Sequence, residues 1–398
     1  MRSLLVRTGR VQTMMLAALF VLGCQACGGS DAVSDVPQGD TPELDSPGPP
    51  GPGHACESVS DCEAGEGCSA GVCVMEANLD GPSFITDPVG NLPTDQPPNL
   101  DCIGITPPEP EGVETVTLFG AVARFGSGLK TYDIRVEVFE AATFDPSECE
   151  TEKVSKQEEC YASYGSPIGE GLSKKAELVG ELPTTCGGHS DCPLGYRCIE
   201  GDLDYECLEQ YGVFEIDNMP TNTPLVIRST ATKSPGKWHT TYVFNVYLFA
   251  DNVSADGRYH VDATMVSHGQ WLLTPNTVGL SDVSEERGVL GGRVRDCRAA
   301  DRDSWPISNV TLGLASPPKK FVFFNDLEDD TVPLADRIQT NILGRFAALD
   351  VAPGWNKLAG YAGVGTASLE MGALAVYVFP NSLTVVTWPG LQPHWAQE

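Results

Sequence analysis

The chain has 398 residues, with 54 Asp and Glu against 25 Lys and Arg, for a formal net charge of −29 at pH 7. A surface this acidic repels nucleic acid and anionic headgroups, so neither is expected as a partner. The length leaves room for two or three domains, and fourteen cysteines read as the disulfide framework of an exported protein.

The chain opens with Arg2, Arg7 and Arg10, an apolar run from Met14 to Leu22, and the small Gly23 ahead of Cys24. Charge, apolar stretch and small residue in that order read as a secretory signal peptide over 1–23. A run of about nine residues is too short for a bilayer core of ~30 Å, which takes about 20 in a helix. No later stretch is long enough either. Val21-Leu22-Gly23-Cys24 resembles the lipobox of bacterial lipoproteins. The resemblance implies cleavage before Cys24, a diacylglyceryl group on its thiol and an acylated amino group. The expected membrane contact is then a lipid anchor at Cys24, and Gln25 in place of Asp favours the outer membrane. Residues 24–55 hold Pro, Gly, Ser and Asp with almost nothing apolar, and read as a disordered tether. Two or more acyl chains, at ~0.8 kcal/mol per buried CH₂, give lasting attachment where one does not.

A Cys-rich module over 56–75 contains Cys56, Cys62, Cys68 and Cys73, and Cys186, Cys192, Cys198 and Cys207 form a second cluster. Both read C-x5-C-x5-C, with Ser-Asp before the second cysteine and Gly three after it, which makes them an internal repeat. Each is too short to own a hydrophobic core, so two disulfides at roughly 2–4 kcal/mol each are expected to stabilise it. Zinc is the rival reading, but its paired ligands usually stand two to four residues apart, and a five-residue gap fits poorly. Four cysteines allow three pairings, and the spacing chooses none. Cys149 and Cys160 flank a charged loop and are read as a pair. Cys102 and Cys297 remain, and would clamp the chain before one module to the next. With Cys24 lipidated, Cys27 is the candidate for an unpaired thiol. The clusters resemble the small Cys-rich repeats of exported myxobacterial proteins, which are likened to the Dickkopf cysteine-rich region.

A linker over 76–112 leads into a different pattern. In YDIRVEVFEA, Ile134, Val136 and Val138 alternate with Asp133, Arg135 and Glu137, which predicts a half-buried strand with one wet face. VTLFGAVARF, YGVFEIDNM, PLVIRSTA and YVFNVYLF predict further short strands between turn residues. DATMVSHGQWLL, 262–273, is the best helical stretch, with Pro275 expected to end it. The fold class expected is mainly β: two tandem antiparallel β-sandwiches, transthyretin-like or Ig-like, with small disulfide-rich modules. Sandwich 1 is assigned to 113–250 with a Cys-rich insert at about 145–209, a connector to 251–285, sandwich 2 to 286–390 and a tail to 391–398.

The sandwich pattern recurs. GGRVRD at 291 matches FGAVAR at 119, and GRFAALDVAPG at 344 matches GVFEIDNMPTN at 212. Gly212 and Gly344 would allow a tight turn into a strand, Phe214 and Phe346 would fill the core, and Pro220 and Pro353 would close the strand. LAVYVFP, 374–380, is read as the last strand of the second copy. The opening G-x-V, PISNVTLGL and the Gly-x-Phe segment over 286–390 resemble the carboxypeptidase regulatory-like domain, a transthyretin-like sandwich grouped with carbohydrate-binding-like folds. The resemblance is weaker in the first copy. It implies a sandwich that accompanies catalytic domains, not peptidase activity.

Residue types for chemistry are scattered. His54-Ala55-Cys56-Glu57 has the letters of a zinc carboxypeptidase motif, but Cys56 belongs to the disulfide repeat. No HExxH, GxSxG or phosphate-binding loop occurs. His189, His239, His260, His268 and His394 show no paired spacing. NDLEDD, 325–330, lacks the Gly and spaced ligands of a Ca²⁺ loop and reads as a solvated acidic loop. Trp238, Trp271, Trp305, Trp355, Trp388 and Trp395 could offer a sugar-stacking face, though no spacing marks a platform. The expectation is a non-catalytic cell-envelope lipoprotein with no cofactor and no metal, whose partner is an unknown surface protein or glycan. The alternatives are a carbohydrate-binding adhesin and an accessory subunit of an envelope enzyme.

Overall fold

The alternating runs become strands in the computed structural model, which describes residues 54–77, 81–87, 92–101, 103, 114–125, 130–152, 154–175, 196–200, 205–209, 212–297, 305–326 and 332–389. The signal peptide, Cys24, the tether up to residue 53, Cys102, Cys186, Cys192 and the tail lie outside the described residues. Cys198 and Cys207 are described in their backbone, where they sit opposite one another in a hairpin of Tyr196–Glu200 with Tyr205–Glu209.

The first Cys-rich module forms a hairpin of β1 (Glu66–Ser69) and β2 (Val72–Met75). The first half of the remaining chain contributes β3 (Thr115–Arg124), β4 (Ile134–Glu140), α1 (Val154–Ser163), β5 (Gly169–Leu172), β6 (Val213–Pro220), β7 (Pro224–Ala231), β8 (Thr241–Tyr247), β9 (Ala263–Ser267) and α2 (His268–Thr277). The second half contributes β10 (Gly288–Arg295), β11 (Val310–Leu314), β12 (Lys320–Phe324), β13 (Arg345–Val351), β14 (Gly354–Val364), β15 (Ala367–Val378) and β16 (Leu383–Pro389). The protein is mainly β, built from several sheets.

Both halves are joined through one nine-stranded sheet, in the order Pro333–Leu334, β12, β13, β10, β16, β8, β7, β4, β5. The seam is the parallel pairing of β8 with β16, Tyr242 opposite Thr384 and Phe244 opposite Val386. β16 pairs in parallel with β10 on its other side. Asn245, at φ 59°, donates its Nδ2–H to the Thr387 carbonyl at 2.7 Å and crosses the same seam. Among the described residues the last strand is therefore Leu383–Pro389, one strand beyond the 374–380 segment expected to close the second copy. LTVVTW runs at the centre of a sheet, where both faces are covered and no polar alternation marks it.

The two faces of this sheet are covered differently. A sheet of β6, β3, β9 and Trp238–His239, with Lys130–Thr131 and Arg258–His260 also on β3, covers one face in the first half. Ile134, Val136, Val138, Leu225, Ile227, Phe214 and Met265 fill the space between. In the second half α2 covers that face, with Trp271 against Val322, Phe324, Ala347 and Leu349. On the opposite face, β11, β14 and β15 form a three-stranded sheet over Phe321, Phe323, Phe346, Ala348 and Trp388. Neighbouring residues of β12 and β13 thus go to opposite cores, which is why FVFF and FAAL read as unbroken apolar runs.

The repeat seen in the sequence has a backbone counterpart. Gly212 and Gly344 both enter their strands in the left-handed region, at φ 82° and 64°. Six residues later Asn218 and Asp350 are left-handed as well, at φ 62° and 56°, each beside a register shift in its ladder. Phe214 and Phe346 are buried. At Gly212 a Cβ would stand 1.3 Å from the Thr131 carbonyl oxygen, so no side chain fits.

Two local expectations change. In 262–273 only the second part is helical. Ala263–Ser267 is a strand paired in parallel with β3. The helix begins at His268, where the Ser267 hydroxyl accepts from the Gln270 N–H in a capping box. Pro275 lies inside α2, and the helix ends at Thr277, with Val278 as its cap and Gly279 beyond it left-handed at φ 82°. The wet face predicted for β4 is partly covered too: Glu137 is buried, because the chain after β4 folds back over it.

Candidate functional site

That covering segment is held by a network of buried polar contacts. It runs from Phe144 through a 3₁₀ turn (Pro146–Thr151) and α1, and the Cys149–Cys160 disulfide closes it. Arg228 stands directly opposite Glu137 across β7 and β4. Its Nε–H and Nη2–H donate to the two Glu137 carboxylate oxygens at 2.8 and 2.9 Å. The Nη1–H group donates to the carbonyls of Tyr161 and Tyr164 at 2.9 and 3.0 Å. Tyr242, fully enclosed, donates its hydroxyl to the same Tyr161 carbonyl at 3.2 Å, and burial pushes its phenol well above the ordinary tyrosine range. The guanidinium lies 4.8 Å from the Phe139 ring. One arginine therefore ties β4, β7 and the end of α1 together, and all its donor groups face acceptors.

The disulfide-closed segment also reaches the second half. Tyr161 and Tyr377 meet hydroxyl to hydroxyl at 3.0 Å, and the Tyr377 O–H donates to Glu150 Oε1 at 2.7 Å. Burial first, then these two bonds, raise the Tyr377 phenol far above its usual range. Trp355 donates its indole N–H to Asp145 Oδ1 at 2.9 Å, and stands edge-on to Tyr377 with centroids 5.5 Å apart. That indole bond, with the Ser147 contacts, holds the Asp145 carboxyl below the usual range. Sequence reading missed this group. Its one legible signal is a charged pair, Glu137 and Arg228, standing inside otherwise apolar strands.

The first Cys-rich module is cross-linked Cys56–Cys68 and Cys62–Cys73, with Cα–Cα separations of 6.0 and 5.4 Å. It packs on the outer face of the three-stranded sheet, where Val72 and Val74 meet Ala359 and Tyr361. Lys357 donates to the Ala70 carbonyl, and the Thr311 hydroxyl to that of Met75. Burial and the nearby Glu370 push the Tyr361 phenol up to about 12. The sulfurs of Cys56, Cys62 and Cys73 come together, and so do a ring nitrogen of His54, a carboxylate oxygen of Glu66 and the Cys73 sulfur. Those sulfurs are disulfide-bonded and are not thiolate ligands. Cys297 is disulfide-bonded as well, and its N–H donates to the Asn99 carbonyl at 2.9 Å. Asn99 stands three residues before Cys102.

Two histidines without paired spacing do meet. His239 Nε2 lies 3.1 Å from His268 Nδ1, and His239 Nδ1 lies 3.2 Å from the Asn381 carbonyl. With His239 neutral, Nδ1–H donates to that carbonyl and Nε2 accepts from His268. Trp271 stacks on His239 at 4.2 Å. His260 pairs with Asp262 at 3.3 Å. Asp326 is occupied by structural bonds: Oδ2 pairs with Arg337 at 2.7 Å, and Oδ1 accepts the Ile342 N–H. The other acidic residues of 325–330 lie outside the described residues, as do His189, His394 and Trp395. Trp271 and Trp388 are core residues, and Trp238 and Trp305 are partly covered. Trp355 is 46% exposed.

No protein-family model matches the chain, and no curated protein matches it. Among solved structures, the minor pilin GBS52 of Streptococcus agalactiae aligns at 10% identity over 68% of this chain and 94% of that one, with a TM-score of 0.18. The shaft pilin SpaA of Lactobacillus rhamnosus GG aligns at 8% identity over 70% of this chain and all of that one, with a TM-score of 0.17. At TM-scores this low the likeness carries no argument.

Proposed function

We propose that the chain is a non-catalytic lipoprotein of the bacterial envelope, tethered through Cys24 and exposing its β-sandwich pair for structural support or protein contact. The observation that carries this reading is where the chemistry-bearing side chains are used. Arg228 and Glu137, Asp326 and Arg337, Tyr161, Tyr377 and Glu150, and the cysteines of the first module all link one element to another. A fold cross-linked this way resists unfolding outside the cell, where no chaperone restores it. The lipobox and the polar tether supply the anchor and the reach.

Mass spectrometry of the native protein tests the anchor: a mature first residue Cys24 carrying acyl chains is expected, and an unacylated start overturns the reading. Cross-linking on intact cells tests the role, with recovery of envelope proteins expected. A hydrolytic activity lost on substitution of a single Ser, Asp or His would replace it.

A further inference from the structure

The Cys62–Cys73 bridge of the first module joins two unlike sulfurs. Cys73 is fully enclosed, whereas Cys62 is partly exposed, and its neighbours Asp61, Glu63, Ala64 and Gly65 face solvent. The backbone brings a third group to the bridge. The Cys73 N–H donates to the His54 carbonyl at 2.9 Å, and the Cys56 N–H to that of Gly71 at 3.1 Å, so the segment at the first cysteine lies alongside β2. His54 Nε2 thereby stands 3.3 Å from Cys73 Sγ and 2.9 Å from the Asp61 carbonyl oxygen. A disulfide sulfur and a carbonyl oxygen only accept, so Nε2 carries the hydrogen and faces both. The buried Glu66 brings a carboxylate oxygen within 4.8 Å of the same sulfur and of the ring. Its charge disfavours a bare thiolate at Cys73, so release of that sulfur as an anion depends on the His54 N–H.

These contacts prepare one direction of thiol–disulfide exchange. An incoming thiolate reaches the outer sulfur, on Cys62. The inner sulfur, on Cys73, leaves beside a hydrogen-bond donor that stabilises the charge it acquires. We propose that Cys62–Cys73 is an exchange site at which an external thiolate becomes covalently attached to Cys62. A bond forms between the incoming sulfur and Cys62 Sγ, the Cys62–Cys73 bond breaks, and its electron pair stays on Cys73 Sγ. The incoming sulfur is oxidised and the Cys73 sulfur reduced, so no other oxidant takes part. The Cys56–Cys68 bridge and the packing of Val72 and Val74 on Ala359 and Tyr361 keep Cys73 in place to reverse the step. The inference goes beyond the anchoring and contact role proposed above, because it gives the module a redox-sensitive covalent contact.

The test treats the native full chain with cysteamine, whose positive charge suits the exposed acids Glu57, Asp61 and Glu63 of the module. Acid quenching and peptide mass spectrometry then locate the adduct. It is expected first on Cys62 with Cys73 free, ahead of any opening of Cys56–Cys68 or Cys149–Cys160. His54→Leu removes the donor and should slow the reaction roughly 10-fold. His54→Gln, which keeps an N–H, should restore part of the rate. A merely structural histidine predicts the reverse, since a loosened module exposes its disulfides and reacts faster. A second arm uses a reduced Cys-x-x-Cys dithiol protein at equal thiol concentration, and the faster arm identifies the thiol's source as protein or small molecule. A first adduct on Cys73, earlier opening of either other bridge, or an unchanged or faster rate in His54→Leu overturns the proposal. Each outcome is independent of acylation at Cys24 and of cross-linking on cells, so the broader reading stands or falls separately.

Discussion

Replacing Arg228 with Met removes a cation that is 2% exposed, together with its four hydrogen bonds. Glu137 is then left as a buried carboxylate without its counter-ion, which costs about 3–5 kcal/mol. The carbonyls of Tyr161 and Tyr164 lose a charged donor as well, although Tyr161 keeps the Tyr242 hydroxyl. A second variant separates the two effects. Adding Glu137→Leu to Arg228→Met removes the orphaned charge, so most of the loss should return. The Tyr164 carbonyl still lacks its donor, and the double variant should remain about 1–3 kcal/mol below the parent. Urea denaturation with disulfides intact, followed by near-ultraviolet circular dichroism, measures both. A single variant within ~1 kcal/mol of the parent would show that the pair does not hold the segment down. A double variant no better than the single would refute the claim that an uncompensated charge is the main cost.

Three further outcomes follow from the geometry. A chain ending at Asn381 lacks β16, the strand that joins the halves, so both halves should become protease-sensitive; a first half that stays resistant would show independent sandwiches. Gly292→Ala would put a Cβ 2.0 Å from the Val386 carbonyl oxygen, backbone against backbone. A loss of about 1–3 kcal/mol or more is expected by thermal melting, and an unchanged melting temperature would contradict the close approach of β10 and β16. The Asp145 carboxyl is held down by the Trp355 indole and by Ser147. Its ionised form therefore favours the docked arrangement above the ordinary aspartate value of about 4 and loses that preference as pH falls through the lower folded value. The Trp355 indole resonance should move on that acid side in the parent and stay still in Asp145→Asn, which keeps the oxygen acceptor but does not titrate.

Much of the local structure was legible in the residues. Period-two alternation located β4, because each side chain of a strand faces one way or the other and burial selects for it, and short runs between turn residues located β6 and β7. Gly212 and Gly344 marked strand entries, because a Cβ there has no space. The Cys-x5-Cys repeat announced disulfide modules but left the pairing open, since three pairings share one spacing. Helix α2 was displaced by several residues, because DATMVS carries apolar positions compatible with either period. The Trp355 group was invisible: Asp145 and Trp355 are separated by more than 200 positions, and no local period links them.

Composition, charge and short-range pattern by themselves determined a mainly β, cysteine-rich chain with a repeated strand entry. Those properties depend on the nearest few residues, where sterics and burial act directly. Tertiary structure alone decided that β16 lies between β10 and β8, that the first Cys-rich module rests on β11 and β14, and that Arg228 holds Glu137 beneath a disulfide-closed segment. Each is a choice among distant partners, made by which apolar faces and buried charges satisfy one another at once, and a linear sequence does not display those alternatives.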